Sequence, residues 1–154
     1  MNKEILRIIY SDNYTPQKIK FNLHNILNAY LKYLKTRRIF KQKNTLSALQ
    51  YIEKIVSPKI NFCNSDDKIY NARRVIHIID ILDFWHKKPL CLEYSLCLCA
   101  ALITLGFPLE LYIGRALNYV GKYEFHSWLE IDETTINFRI NYKELYNIVY
   151  HKSF

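Results

Sequence analysis

The sequence contains few of the residues that interrupt regular structure, with 3 glycines and 4 prolines among 154 residues. Collagen-like and low-complexity disordered chains are rich in these residues, so both classes are excluded. Hydrophobic residues make up 50% of the chain, which is enough to form a buried core at this length. The sequence therefore predicts a single globular domain over residues 1–154, with a helical part at 1–85 and a second part at 86–154.

Long hydrophobic runs are also missing. The longest, SLCLCAALITLGF, has 13 residues, whereas a membrane-spanning helix needs about 20. The N-terminal sequence MNKEILRIIYSDNY carries charges and an Asp-Asn pair where a signal peptide would have its apolar core and cleavage site. We therefore expect a cytoplasmic protein without a membrane partner, whose cysteines are thiols rather than disulfides.

Acidic residues are in the minority, because 14 Asp and Glu oppose 22 Lys and Arg and leave a formal net charge of +8. Part of this excess lies in KYLKTRRIFKQK at 32–43. Such a run is typical of a solvated helix face, and it also suits an acidic peptide or a nucleic acid. The chain has no helix-turn-helix spacing, zinc-finger pattern or ribonucleoprotein motif, so we do not expect a nucleic-acid partner.

The first half of the chain has helical periodicity, with apolar residues at every third or fourth position. The periodic segments are QKIKFNLHNILNAYLKYL at 17–34, NTLSALQYIEKIV at 44–56 and NSDDKIYNARRVIHIIDILDFW at 64–85. Pro16 is expected just inside the start of the first helix. Asn64 is a candidate cap of the third helix, which has Asp66 and Asp67 in its first turn.

The pattern changes after Pro89. Residues 91–105 are apolar on almost every side, which a helix tolerates only when protein surrounds it, and Gly106 is expected to end this helix in a left-handed conformation. The strand patterns that follow are LELYIGR, EFHSWLEI and TTINFRI. The order predicts an α+β domain in which one buried helix packs on a small antiparallel sheet.

The cysteines are concentrated in PLCLEYSLCLCAAL at 89–102. Cys97 and Cys99 point to nearly opposite sides of a helix, so one metal ion cannot bind both, and no Cys-x-x-Cys pair is present elsewhere. We interpret both as core residues and expect no metal or other cofactor. Cys91 differs, because it stands at the expected helix start, where backbone N–H groups and the helix dipole stabilise a thiolate.

A nucleophilic cysteine also needs a base, and His126 is the best candidate. The other histidines lie within helical patterns, near a helix end or in the tail. His126 shares one strand face with Trp128 and Glu130. A cysteine at a helix start and a histidine on a later strand is the general arrangement of thiol acyl transfer.

The segment CLEYSLCLCAALITLGFPLELYIGR, followed after a short gap by FHSWLEID and then IN, resembles the leader peptidases of lasso-peptide biosynthesis. These are a bacterial branch of the transglutaminase-like cysteine proteases, and the resemblance covers about residues 70–138. It implies a papain-type core in which Cys91 is the nucleophile and His126 is the general base and then the acid. It also implies a precursor peptide as substrate, a separate leader-recognition protein that presents the leader, and a separate lasso cyclase.

The third catalytic residue departs from the family pattern. The family places an Asp twelve residues after the histidine, where this chain has Phe138. If residues 132–133 form a two-residue turn, Asn137 lies on the face of His126 and its carbonyl can orient the ring, as in papain-like enzymes. With a three-residue turn, Phe138 faces the histidine and the role passes to Glu130 or to a residue outside the hairpin. We predict Asn137.

Other roles near the site stay open. The backbone N–H of Cys91 is the expected oxyanion donor, and Trp128 is expected to shield His126, whereas Tyr94 and Ser95 suit packing as well as a pocket. Two further functions are compatible with the same residues. One is a non-catalytic module that binds the precursor or its leader, because the usual Asp is missing. The other is acyl transfer to an amine.

Overall fold

The computed structural model describes residues 16–58, 60–117, 121–138 and 140–154. In these ranges the chain forms helices first and a sheet last, which confirms the predicted α+β class. The helices are α1 (Leu23–Gln42), α2 (Thr45–Glu53), α3 (Ser65–Leu82) and α4 (Cys91–Thr104). The strands are β1 (Glu110–Leu117), β2 (Tyr123–Ile131), β3 (Thr134–Thr135) and β4 (Asn147–Ser153), with a short 3-10 helix at Tyr142–Glu144.

Asparagine side chains begin the first three helices. Asn22, Asn44 and Asn64 each accept a hydrogen bond from the backbone N–H three residues later, at 2.7 to 2.8 Å, which satisfies an N–H that has no partner inside the helix. The prediction for Asn64 is confirmed. The prediction for Pro16 is wrong, because the Asn22 cap begins α1 at Leu23 and leaves Pro16 outside the helix.

Helix α4 lies at the centre of the core. Every residue from Leu96 to Ile103 is at most 5% exposed, and this includes the predicted core cysteines, Cys97 and Cys99, which are free thiols. The chain turns after α4 at Gly106, where φ is 84°. A Cβ atom there would lie 2.4 Å from the carbonyl oxygen of Pro58, so a larger residue would clash as well as strain the backbone.

The sheet has the strand order β3-β2-β1-β4, and all neighbouring strands are antiparallel. Leu111 and Leu129 belong to the same core as α4 and are fully buried. Tyr112 and Trp128 point to the opposite face because side chains alternate along a strand. The 3-10 helix and the residues after it cover that face. Neither this helix nor β4 was predicted from the sequence.

The turn between β2 and β3 has two residues, 132–133, with φ values of 46° and 63°. Positive φ values at both residues are typical of a two-residue hairpin turn, and Ile131 pairs directly with Thr134 on either side of it. The two-residue alternative is therefore confirmed. The third strand is shorter than predicted, because the chain leaves the sheet after the N–H of Ile136 donates to the carbonyl of Leu129 at 2.9 Å.

A buried arginine joins α1 to the start of α4. Arg37 is 7% exposed; its Nε donates to Glu93 Oε1 at 2.9 Å and its Nη1 donates to Asp83 Oδ2 at 3.1 Å. Its Nη2 also donates to the backbone carbonyl of Lys87. Glu93 lies in the first turn of α4 and Asp83 ends α3. The interpretation of the basic run 32–43 as a solvated face is therefore wrong for Arg37.

Replacing Arg37 with methionine should lower the free energy of unfolding by about 3–5 kcal/mol, because two buried carboxylates would lose their buried counter-charge and Glu93 would keep only the exposed Lys41. Urea denaturation measures this change. The control is Arg38→Met, which removes the same charge from the exposed neighbouring position and should change stability by less than about 0.5 kcal/mol. Similar losses in both variants would contradict a specific role for the buried pairs.

Candidate active site

The first turn of α4 lies along the open edge of β2. Because β3 pairs only with the end of β2, the carbonyl groups of Phe125 and Ser127 meet α4 instead of another strand. Ser95 Oγ donates to the Ser127 carbonyl at 3.0 Å, and Cys91 Sγ lies 3.9 Å from the Phe125 carbonyl. Cys91 and Ser95 are one helical turn apart, so they share a helix face. The thiol therefore lies beside the residue that precedes His126.

The start of α4 differs from the starts of the other helices. Its cap position is Leu90, whose side chain makes no capping hydrogen bond and is 77% exposed. The N–H groups of the first turn consequently keep their capacity to bind a negatively charged oxygen. The backbone N–H of Cys91, the predicted oxyanion donor, belongs to this uncapped turn.

Four aromatic rings surround the imidazole of His126. The distances between ring centroids are 4.1 Å to Tyr142, 4.9 Å to Phe138, 5.7 Å to Tyr146 and 6.4 Å to Trp128. Burial lowers the pKa of His126 below the 6.5 of an exposed histidine, because the charged imidazolium loses hydration. The ring is therefore neutral at pH 7, which is the form that a general base requires.

The imidazole has no hydrogen bond that orients it within the described part of the chain. Its Nε2 is buried and has no partner. Asn137, the residue predicted for this role, lies elsewhere: its Oδ1 accepts from the backbone N–H of Leu129 at 2.9 Å and its Nδ2 donates to Ser95 Oγ at 3.1 Å. The Asn137 Oδ1 atom thus accepts the hydrogen bond that a backbone carbonyl would accept if β3 continued along β2. The structure thus brings Asn137 to α4 and β2, and not to the imidazole.

Phe138 is packed against the imidazole. Its ring also contacts Tyr94 of α4 at 6.3 Å between centroids and Tyr142 at 5.5 Å, edge to face in both cases. The Phe138 position thus places a hydrophobic ring beside His126. The contact fills space around the imidazole and supplies no hydrogen-bond acceptor.

Tyr142 lies close to both the thiol and the imidazole. Its ring is the one nearest to His126. Burial raises the pKa of its hydroxyl, and the negative charges of Tyr146 and of a Cys91 thiolate add to this effect. No sequence pattern marks Tyr142, because it belongs to a three-residue 3-10 helix in a segment without periodicity.

An ion pair between a buried carboxylate and the half-buried Lys143 holds the 3-10 helix against β2. Glu130 is fully buried; its Oε1 accepts from Trp128 Nε1 at 2.7 Å, and its Oε2 lies 2.6 Å from Lys143 Nζ. Lys143 directly follows Tyr142, so the ion pair also holds the Tyr142 ring in place. Glu130 therefore acts on the surroundings of the imidazole through Trp128 and Lys143, without contacting the ring itself.

Gly114 makes room for the aromatic rings around His126. It pairs with His126 across β1 and β2. A Cβ atom at Gly114 would lie 2.6 Å from Tyr146 Cβ and 3.0 Å from a ring carbon of Trp128, both closer than van der Waals contact allows. The glycine in the YIGR segment thus has a packing role, which no strand propensity would indicate.

The same described ranges contain no group of three or more His, Cys, Asp and Glu side chains that could hold a metal ion. They also contain no helix that is both long and apolar enough to cross a membrane. Comparisons of the chain with protein-family models, with curated proteins and with solved structures found no match. Its function must therefore be inferred from the residues themselves and from their geometry.

We expect His126 to titrate with a pKa below 6.5, as measured by NMR, with His126→Gln identifying its signal. The direction follows from burial. Below pH 6.5 the unfolded chain binds more protons at this residue than the folded chain does, so the free energy of unfolding should decrease as the pH falls. A pKa above 6.5 would mean that an unrecognised negative charge, rather than burial, dominates at this ring.

Replacing Phe138 with aspartate should raise the pKa of His126 by about 1 or more, because a carboxylate beside the ring stabilises imidazolium. The positive charge of the imidazolium would in turn stabilise the Cys91 thiolate. Alkylation of Cys91 by iodoacetamide should then become faster near pH 7, because the thiolate is the reactive form. The assay uses Cys63→Ser protein, because Cys63 is exposed. Burial raises the pKa of the Cys97 and Cys99 thiols and keeps both unreactive.

The control for this experiment is Phe138→Leu, which removes the aromatic ring without adding a charge. Leucine should leave the alkylation rate close to that of the parent protein. Equal rates for the aspartate and leucine variants would show that a carboxylate at position 138 does not reach the imidazole.

Proposed function

We propose that the protein is a cytoplasmic cysteine peptidase with a transglutaminase-like core, which removes the leader from a lasso-type precursor peptide. One observation supports the chemistry: Cys91 begins an uncapped, buried helix and lies beside Phe125, next in sequence to the neutral base candidate His126. The choice of substrate is supported by the resemblance of the Cys91 and His126 segments to lasso leader peptidases.

In the first step, the imidazole of His126 accepts the proton of the Cys91 thiol as Sγ attacks the carbonyl carbon of the scissile peptide bond. The carbonyl oxygen becomes negatively charged, and the free N–H groups at the start of α4 stabilise it. The C–N bond then breaks. The amine of the core peptide leaves with the proton from His126, and the leader stays on Cys91 as a thioester.

In the second step, a water molecule attacks the thioester and gives a proton to His126. The carbon–sulfur bond breaks, the proton returns to sulfur, and the leader is released with a carboxylate at its new end. The freed core peptide is the substrate for a separate lasso cyclase. In this proposal, packing against Tyr142, Phe138 and Trp128 orients the imidazole, in place of a hydrogen bond.

A non-catalytic peptide-binding module is the second candidate, and one observation favours it. Nε2 of His126 is buried without a hydrogen-bond partner among the described residues, so protonation of the ring would bury a charged N–H that has no acceptor there. Such an imidazole is a poor proton acceptor. Acyl transfer to an amine is a variant of the first proposal, because it uses the same Cys91 thioester and differs only in the group that attacks it.

The test is mass spectrometry of the precursor peptide encoded by the neighbouring genes, incubated with this protein and its leader-recognition protein. We expect cleavage at the junction of leader and core, abolished by Cys91→Ala and slowed about 10²- to 10⁴-fold by His126→Gln. Cys63→Ala, which removes an exposed cysteine elsewhere, should cleave normally.

The other outcomes separate the alternatives. An intact precursor that stays bound to the wild-type protein would reject the peptidase and support the binding module. A leader that carries an added amine at its new end would identify acyl transfer. Normal cleavage by Cys91→Ala would reject Cys91 as the nucleophile.

A further inference from the structure

A cavity of about 710 Å³ lies at the opposite end of α4 from Cys91. Thr104 and Leu105 form its floor, and the other walls come from α1, α2 and the segment that follows α2. At 1.5 Å per residue, the length of α4 puts this cavity about 20 Å from the thiol. It is therefore separate from the site around Cys91 and His126.

Lysine side chains make the cavity positively charged. Lys32 and Lys54 line it, and Lys35 lies beside it, with the Nζ atoms of Lys32 and Lys35 5.9 and 5.0 Å from the ring centroid of Tyr51. The described lining residues include no Asp or Glu. The nearest carboxylate in sequence, that of Glu53, pairs with a lysine of β4. The positive charge of the cavity is therefore not neutralised by its own walls.

The cavity also has hydrogen-bonding groups. Asn25 and Asn28 add side-chain amides on the α1 wall. The N–H groups of these amides can donate to a carboxylate that is drawn to Lys32 and Lys54.

The rest of the wall is apolar, and this distinguishes a peptide from a nucleic acid. Phe21, Ile55, Ile60 and Leu105 line the cavity, and the nearby Val56 is 90% exposed. Apolar side chains on a ligand could be buried here. Proteins that bind single-stranded nucleic acid instead stack bases on free aromatic faces, whereas in the described lining two lysines cover Tyr51 and the Phe21 ring packs on Phe107.

We propose that this cavity binds an acidic peptide segment, with a Glu or Asp carboxylate on Lys32 and Lys54 and a neighbouring apolar side chain against Ile55 and Val56. The inference does not depend on the proposed peptidase activity. The binding experiment uses the full chain with Cys91→Ala, so failure of one proposal does not imply failure of the other.

The probe is a fluorescein-labelled peptide of alternating Glu and Leu, and fluorescence anisotropy gives its Kd. We expect Lys32→Gln combined with Lys54→Gln to weaken binding about tenfold, from the loss of two exposed charge pairs. The control combines Lys43→Gln with Lys88→Gln, which removes the same charge from exposed positions outside the cavity. It should weaken binding less than about twofold, through net charge alone.

Equal weakening by the two double variants, or tighter binding of a single-stranded oligonucleotide with the same charge as the peptide, would overturn the proposal.

Discussion

Helix α4 is apolar on every side, and the rest of the structure follows from the need to surround it with protein. Helices α1, α2 and α3 cover part of its surface, and β2 covers another part. The helix is incompletely buried in its first turn, which contains Cys91, and at its last residue, Thr104. Because the surrounding protein excludes solvent from Cys97 and Cys99, Cys91 is the thiol of this helix that a substrate can reach.

Two ion pairs, one buried and one between a buried carboxylate and a half-buried lysine, set the geometry on either side of the candidate site. Arg37 holds the first turn of α4 through Glu93, and Lys143 holds the turn of Tyr142 through Glu130. Buried ion pairs add little net stability compared with well-packed hydrophobic residues, but breaking one is strongly destabilising. Here the two ion pairs fix the positions of residues in the candidate site. Glu93 lies two residues after Cys91, and Lys143 follows Tyr142, whose ring contacts the imidazole of His126.

The features predicted correctly from the sequence are those that depend on neighbours in the chain. The apolar run between Pro89 and Gly106 located α4, and the two-residue turn at 132–133 was one of the two turn lengths considered for the hairpin. The errors arose where a nearby side chain changed a boundary. Asn22 caps α1 later than Pro16 suggested, and the Asn137 side chain replaces a strand carbonyl. The backbone hydrogen bonds between β2 and β3 therefore end before Asn137. The alternation of side chains between the two faces of a strand, which would have directed Asn137 towards the imidazole, no longer applies.

The sequence by itself determined that Cys91 begins a buried helix and that His126, Trp128 and Glu130 alternate onto one strand face. Periods of 3.6 and 2 residues are enough to specify both. Only the tertiary structure decided what surrounds the imidazole. Tyr142 and Tyr146 come from an aperiodic segment, and they reach His126 because Lys143 pairs with Glu130 and because Gly114 leaves room. Such contacts join residues far apart in the chain, and no local pattern encodes them.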